Sequence, residues 1–189
     1  MCMKPLIVFA PMLALAACSS APVKPPQAPT PSVPPAPHVG KAAAALAPAS
    51  GSLVSGRVVF VPVTDGVHLT GTVGGLTPGG HFGFHVHEKG DCSAVDASSA
   101  GGHFNPTGAP HGRAEAGPHH AGDMDNLMAG PDGTANVDVH LIGTTLGGSA
   151  ATNIVGRALI VHGGTDDYTS QPAGNAGARV ACGVIEPAP

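Results

Sequence analysis

The segment Gly83-Phe84-His85-Val86-His87-Glu88 places two histidines two positions apart in a stretch predicted to be a β-strand. Alternate side chains of a strand share one face, so His85 and His87 can reach one metal ion. Neutral imidazole suits copper and zinc, and a mixed histidine and aspartate set suits zinc in particular. Further candidate ligands follow along the chain at His103, His111, His120, Asp123 and His162. These residues predict a site for a pair of metal ions.

Short strands joined by turns are predicted for the chain beyond residue 51. The 189 residues include 28 Gly and 20 Pro but no Trp. Asp65-Gly66 indicates a hairpin, and Pro131-Asp132-Gly133 indicates a turn. Valine-rich segments predict strands at 52–63, 67–73, 82–87, 135–142, 156–162 and 179–185. Two long irregular stretches, 88–128 and 163–178, carry most of the candidate ligands, and connections of that length are usually functional.

The charge of this part of the chain excludes one class of partner. All twelve acidic residues follow residue 51, where only five basic residues occur, so the formal net charge there is −7. A nucleic-acid-binding surface needs clustered positive charge. No nucleic-acid partner is therefore expected.

The N-terminus has the pattern of a targeting segment. An apolar run from residue 6 to residue 17 is too short to span a bilayer and ends in Leu15-Ala16-Ala17-Cys18. This ending resembles the lipobox of a bacterial lipoprotein signal peptide, with Cys18 as the lipidated first residue of the mature protein. The residue directly after this cysteine is Ser19 and not an aspartate, which favours delivery of the lipoprotein to the outer membrane. The alternative is an ordinary signal peptide with a chance cysteine.

Residues 21–48 are rich in proline and alanine and predict an extended, semi-rigid spacer. Within it, residues 42–47 could form a short helical turn, and His38 is expected to be exposed to solvent. The predicted organisation is a signal peptide at 1–17, a lipidated tether at 18–50, and one folded domain at 51–189.

The order of the motifs resembles copper/zinc superoxide dismutase of the bacterial exported kind, over residues 53–186. Gly-Phe-His-Val-His-Glu is followed by His-Phe-Asn-Pro, His-Ala-Gly-Asp, Val-His and Gly-Asn-Ala-Gly-Ala-Arg-Val-Ala-Cys-Gly-Val-Ile. The resemblance implies a Greek-key β-sandwich or flattened β-barrel with two long functional loops. It also implies disproportionation of superoxide to O2 and H2O2, protecting the bacterial cell envelope from external superoxide.

The same resemblance assigns the metal ligands. Copper is expected on His85, His87, His103 and His162. Zinc is expected on His103, His111, His120 and Asp123. His103 then bridges the two ions and is also the catalytic proton carrier.

Other roles follow from the resemblance as well. Arg179 is expected to dock the superoxide anion, and Asp166, rather than the adjacent Asp167, to link a copper histidine to a zinc histidine. Lys89 is the expected source of electrostatic steering. Cys92 and Cys182 are expected to form a disulfide, which export permits; a free thiol or a metal ligand is the alternative.

The remaining histidines are expected to have no catalytic role. His68 and His140 fall in predicted strands and His119 only precedes a ligand, while Phe82 takes the place of a structural histidine found near His81 in many relatives. A homodimer is possible. Two other functions stay open: a copper-delivery lipoprotein on the same fold, and a zinc-stabilised structural protein of the envelope.

Overall fold

A computed structural model describes residues 34–114 and 116–189. Within these residues the chain forms ten strands and one short 3₁₀ helix, Ser98–Ala100. The strands are Ala42–Pro48 (β1), Ser55–Val63 (β2), Gly66–Gly74 (β3), His81–Phe82 (β4), Phe84–His87 (β5), Leu127–Met128 (β6), Ala135–Ile142 (β7), Ala158–His162 (β8), Arg179–Val184 (β9) and Glu186–Pro187 (β10). The predicted all-β class is confirmed. No helix in the described part of the chain is long and apolar enough to cross a membrane.

Eight of the strands form one curled antiparallel sheet. The order is β5-β8-β9-β1-β2-β3-β7, with β10 also paired to β1. Strands β4 and β6 form a separate two-stranded ladder. β1 joins the two sections of the sheet, because it pairs with β2 over most of its length and with β9 at Ala47 and Pro48.

The core lies on the inner face of this sheet. Buried and exposed side chains alternate along strands β3 and β7, as expected for an antiparallel sheet with one face in solvent. Val67, Leu69 and Leu141 are buried, and the polar residues between them face outward. Burying such a side chain stabilises the fold by about 1.5–3 kcal/mol. The same face of β2 contributes Val58 and Phe60.

The tether prediction is wrong for the described residues before position 51. Residues 42–47 form most of strand β1 and not a helical turn, and Ala42, Ala44 and Leu46 are buried in the core. Alanine has a low β-propensity, but here neighbours on both sides supply hydrogen-bond partners and cover the small side chains. Ahead of β1, Ala36 forms a bridge with Gly148, so the folded body begins well before the predicted boundary. The predicted signal peptide and Cys18 lie outside the described residues.

Predicted strands and turns agree closely with the structure elsewhere, with two differences. The predicted strand 82–87 is divided at Gly83, so that β4 pairs with β6 whereas β5 pairs with β8. The turn between β2 and β3 is Thr64-Asp65, and Gly66 is already the first residue of β3. The two long loops are present, and both border strand β5 or β8, where the histidines are concentrated.

Candidate metal centre

Strand β5 supplies the first two histidines. His85 and His87 are both buried and belong to one group of potential metal ligands, which confirms that they share a face. Phe84 and Val86 occupy the opposite face and pack in the apolar core. The alternation of the sequence thus separates metal ligands from core residues along a single strand.

The first long loop folds back along the free edge of β5. Val86 donates its N–H to Gly122 O at 2.9 Å and accepts from Phe104 N at 2.8 Å. These bonds set two bridges, His87 opposite His103 and His85 opposite Asp123. Residues distant in sequence are therefore brought onto β5 by backbone pairing, before any metal is considered.

The last histidine comes from the other side of β5. His162 ends strand β8, and its backbone N–H donates to Gly83 O at 2.8 Å. It lies opposite Arg179, the first residue of β9, where the strand register is irregular. The two long loops and three strands thus meet around one cluster of imidazoles.

The structure gathers the predicted residues into two buried groups. Within each group one ligand atom per residue lies within 4.8 Å of the others. His103 belongs to both groups. The first contains His85, His87, His103 and His162, and the second contains His103, His111, His120 and Asp123.

In the first group, one nitrogen of each ring is held and the other has no partner. His85 Nε2 donates to Asp166 at 2.8 Å, and His87 Nδ1 donates to Gly101 O at 2.9 Å. Buried polar atoms without a hydrogen bond are rare in proteins. In the first group the atoms without a partner are His85 Nδ1 and the Nε2 atoms of His87, His103 and His162. These four nitrogens are the atoms that one imidazole-bound metal ion would use, so the donor set fits copper.

In the second group, the carboxylate of Asp123 lies within 3.3 Å of a ring nitrogen of each of the three histidines. Asp123 Oδ1 lies 2.8 Å from His103 Nδ1 and 3.3 Å from His120 Nδ1. His111 Nδ1 is 3.0 Å from the other carboxylate oxygen but makes no hydrogen bond. Ligands bound at about 2.0 Å around a tetrahedral zinc ion are separated by about 3.3 Å. Three histidines and one aspartate at this spacing fit zinc.

Burial sets the protonation of these groups. Burial, together with the smaller effect of neighbouring imidazoles, lowers the pKa of His85 to about 4, that of His87 to about 2 and that of His162 to about 3. For Asp123, burial would raise the pKa, but hydrogen bonds from His103 and from the backbone N–H of His120 hold it below its usual range. These three imidazoles are therefore neutral and the carboxylate charged at pH 7, which are the forms that bind metals.

Asp166 connects the two groups. Its Oδ2 accepts from His85 Nε2 at 2.8 Å, and its Oδ1 accepts from His111 Nε2 at 2.9 Å. Burial raises the pKa of this carboxyl, but the bonds from the two histidines outweigh that effect and lower it. Asp167 instead accepts from the backbone of Thr169 and Ser170 in an exposed turn. Asp166, and not Asp167, is therefore the linking carboxylate.

Two side-chain amides that the sequence did not single out hold this connection in place. Asn126 donates to Asp166 O and accepts from Asp166 N, both at 2.9 Å. Gln171 makes the same pair of bonds with His111: it accepts from His111 N at 2.8 Å and donates to His111 O at 2.9 Å. Gly174 has a positive φ, and a Cβ there would collide with the Asp166 carboxylate. Only the glycine gave a signal in the sequence.

Arg179 lies beside the first group. Its half-buried guanidinium donates from Nη1 to Ala97 O and from Nη2 to Gly101 O, each at 2.6 Å. Gly101 O also accepts from His87 Nδ1, so one carbonyl joins the arginine to a candidate copper ligand. The positive charge contributes to the lowered pKa values of His87 and His162. The arrangement leaves a cation beside His87 and His162.

The predicted disulfide, Lys89 and His119 lie outside the two ligand groups. Cys92 and Cys182 form a disulfide across 90 positions, which confirms that prediction and ties the first loop to β9. Lys89 is exposed, and its charge acts on Asp91; its steering role stays a prediction. His119 is partly exposed and lies outside both ligand groups.

Arg157 is a further residue that the sequence did not single out. Its guanidinium stacks 3.6 Å from the centre of the Phe104 ring and donates to Glu88 O at 2.8 Å. It thereby anchors both ends of the segment that carries His103.

Two buried groups of potential metal ligands that share one imidazole, on a curled antiparallel β-sheet, define the class of a metal-binding β-protein. A family model described as copper/zinc superoxide dismutase (SODC) matches residues 54–185. The chain therefore belongs to the copper/zinc superoxide dismutase family and is an enzyme of that type.

Similar proteins agree with this assignment. Superoxide dismutase [Cu-Zn] 2 of Aquifex aeolicus is 40% identical over 148 residues, which cover 77% of this chain and 86% of the relative. The superoxide dismutase-like protein YojM of Bacillus subtilis is 41% identical over 124 residues, 64% of this chain and 63% of that protein.

Solved structures show the same architecture. The crystal structure of a SOD-like protein from Bacillus subtilis matches with a TM-score of 0.68 and 36% identity, over 75% of this chain and 96% of that one. The clock protein EA4 matches with a TM-score of 0.70 and 38% identity, over 80% and 97% of the two chains. The predicted β-sandwich class is confirmed.

Proposed function

We propose that the protein disproportionates superoxide at a copper ion that shares one histidine with a zinc ion. Copper is assigned to His85, His87, His103 and His162, and zinc to His103, His111, His120 and Asp123. The observation that carries the proposal is the set of four buried ring nitrogens without hydrogen-bond partners, all within one group. A protein that needed zinc alone would have no use for them.

Copper held by these histidines would supply one-electron chemistry: one superoxide would be oxidised to O2, and the next would be reduced and take up two protons, one from the protein and one from water, to give H2O2. The chain's own residues orient the site, exclude water and supply a proton. The zinc group offers four protein donors and no open position, which is the character of a structural site.

His103 is the residue proposed to move the proton. Its Nδ1 faces Asp123 at 2.8 Å, so the ring orientation is fixed from the zinc side. Its Nε2 is buried and has no hydrogen bond within the protein. A proton held at Nε2 can be passed to the reduced substrate, and the fixed ring brings the atom back to the same position afterwards.

Arg179 is proposed to dock the substrate. Two backbone carbonyls orient its guanidinium, and the shared Gly101 carbonyl keeps it next to His87. A small anion approaching the copper group meets this charge and the remaining N–H donors. The formal charge of −7 beyond residue 51 makes a local cation more important for attracting an anion.

The location is proposed to be the bacterial cell envelope, facing the periplasm. Support comes from the apolar run and the lipobox-like Leu15-Ala16-Ala17-Cys18, which together favour a lipid-anchored protein of the outer membrane. The disulfide is consistent with an exported protein. In that location the enzyme would protect the envelope from external superoxide. A homodimer stays a prediction.

The test compares His162→Ala with His119→Ala in protein loaded with both metals. Removing His162 deletes a copper ligand and leaves the zinc shell complete, so we expect loss of superoxide disproportionation with zinc content unchanged. His119→Ala should keep both metals and full activity. Turnover in His162→Ala with verified copper would contradict the mechanism, and a copper-loaded parent without activity would favour a copper carrier.

A further inference from the structure

Two histidines that the proposed mechanism does not use face each other on the outside of the sheet. His68 on β3 is the direct cross-strand partner of His140 on β7. Their neighbours in sequence, Leu69 and Leu141, are buried in the core, so both imidazoles project from the outer face. Directly opposed residues have Cβ atoms about 4.5–5.5 Å apart. Two imidazoles at that separation can chelate one transition-metal ion.

A carboxylate lies beside each of the two histidines. Asp138 lies two positions before His140 and therefore on the same face, and its Oδ1 is 2.7 Å from His68 Nε2. Asp65 Oδ1, in the β2–β3 turn, is 2.9 Å from His140 Nε2. Two histidines and an aspartate on one face form a donor set that suits zinc or Cu²⁺.

The cluster is exposed, and its present pairing is weak. The side chains of His68 and His140 are 41% and 40% exposed, and Asp138 is 83% exposed. Each ring is turned toward its own carboxylate, and exposed pairs of this kind contribute little to stability. A divalent cation can therefore draw both rings together by side-chain rotation, with no change in the strands. The affinity should be lower than at the buried groups, whose ligand atoms are already gathered.

We propose that His68, Asp138 and His140 form a third, surface binding site for one Zn²⁺ or Cu²⁺ ion. In the metal-free state His140 Nε2 lies 2.9 Å from Asp65 Oδ1, and the ring leaves this contact when it turns to the metal. The proposal does not depend on the proposed catalytic function, because the strand register and the outward orientation of the rings are properties of the sheet alone.

The test is a calorimetric titration with Zn²⁺ of protein whose buried sites have first been filled with copper and zinc. We expect one further Zn²⁺ per chain in the parent, and its loss in the double variant His68→Asn/His140→Asn. His81→Asn, which removes an exposed histidine elsewhere, should keep the further ion. Unchanged thermal unfolding of the double variant would show that the fold is intact.

NMR identifies the ligands independently, since Zn²⁺ should shift the ring signals of His68 and His140 and leave that of His81 unchanged. No further Zn²⁺ in the parent would overturn the proposal. Equal binding by parent and double variant would overturn it as well, and so would loss of the ion in His81→Asn.

Discussion

The linking carboxylate gives the sharpest test of how the two metal groups depend on each other. Asp166 is completely buried, with Oδ1 accepting from His111 Nε2 at 2.9 Å and from Tyr168 N at 2.7 Å. Its Oδ2 accepts only from His85 Nε2, at 2.8 Å. In Asp166→Asn the single remaining acceptor oxygen should stay with the two donors. The amide NH2 then faces His85.

With the amide in that orientation, the variant should lose more affinity for copper than for zinc. A donor opposite His85 Nε2 requires the ring to carry its proton on Nδ1, the atom assigned to copper. Losing a buried hydrogen bond to a charged group costs about 1.5–3 kcal/mol, which corresponds to a roughly 10–100-fold weaker metal affinity. Zinc affinity should fall by less, since His111 keeps its acceptor.

Competition with chelators of known affinity measures both metals in the variant and the parent. Asp167→Asn is the matched control, because that carboxylate only accepts from an exposed turn. An unchanged copper affinity in Asp166→Asn, or a larger fall in zinc affinity than in copper affinity, would contradict the linking role of Asp166.

Three further predictions concern the substrate, the pH and the disulfide. Arg179→Ala should keep both metals and lower the second-order rate with superoxide by about tenfold or more, and Arg179→Glu should be slower still; added salt should narrow the differences. Equal rates at matched copper content would exclude docking. Acidification should lower the free energy of unfolding of the metal-free protein from about pH 6.5 toward 4, because unfolded histidines gain protons there while His85 and His87, with pKa values of about 4 and about 2, stay neutral. Urea unfolding at several pH values measures this, and a flat profile would contradict it. Cys182→Ser should lower the same free energy by up to about 4–5 kcal/mol, since the bridge between Cys92 and Cys182 closes a loop of 90 positions; an unchanged urea midpoint would count against this.

The sequence predicted the strands where the side-chain pattern is strong. Residues 135–142 alternate cleanly, and the predicted strand has the bounds of β7. Strand β1 was missed because alanine and proline carry little β signal, and its pairing partners lie far along the chain. Its place in the sheet is determined by tertiary contacts.

In the candidate site, too, the sequence predicted the residues with a local motif and missed those that act only through tertiary contacts. Every residue assigned to a metal from its motif lies in one of the two buried groups. Asn126 and Gln171 were missed because each acts on a backbone 40 or 60 positions away, and an isolated amide has no local pattern. Arg157 was missed for the same reason, since its stacking on Phe104 appears only in the folded chain.

The proposed site requires that two different metals share His103. The most direct measurement is anomalous X-ray diffraction from crystals of the loaded protein, recorded at the copper and zinc absorption edges. We expect copper among His85, His87, His103 and His162, and zinc among His103, His111, His120 and Asp123. A single metal position, or ions bound without His103 between them, would contradict it.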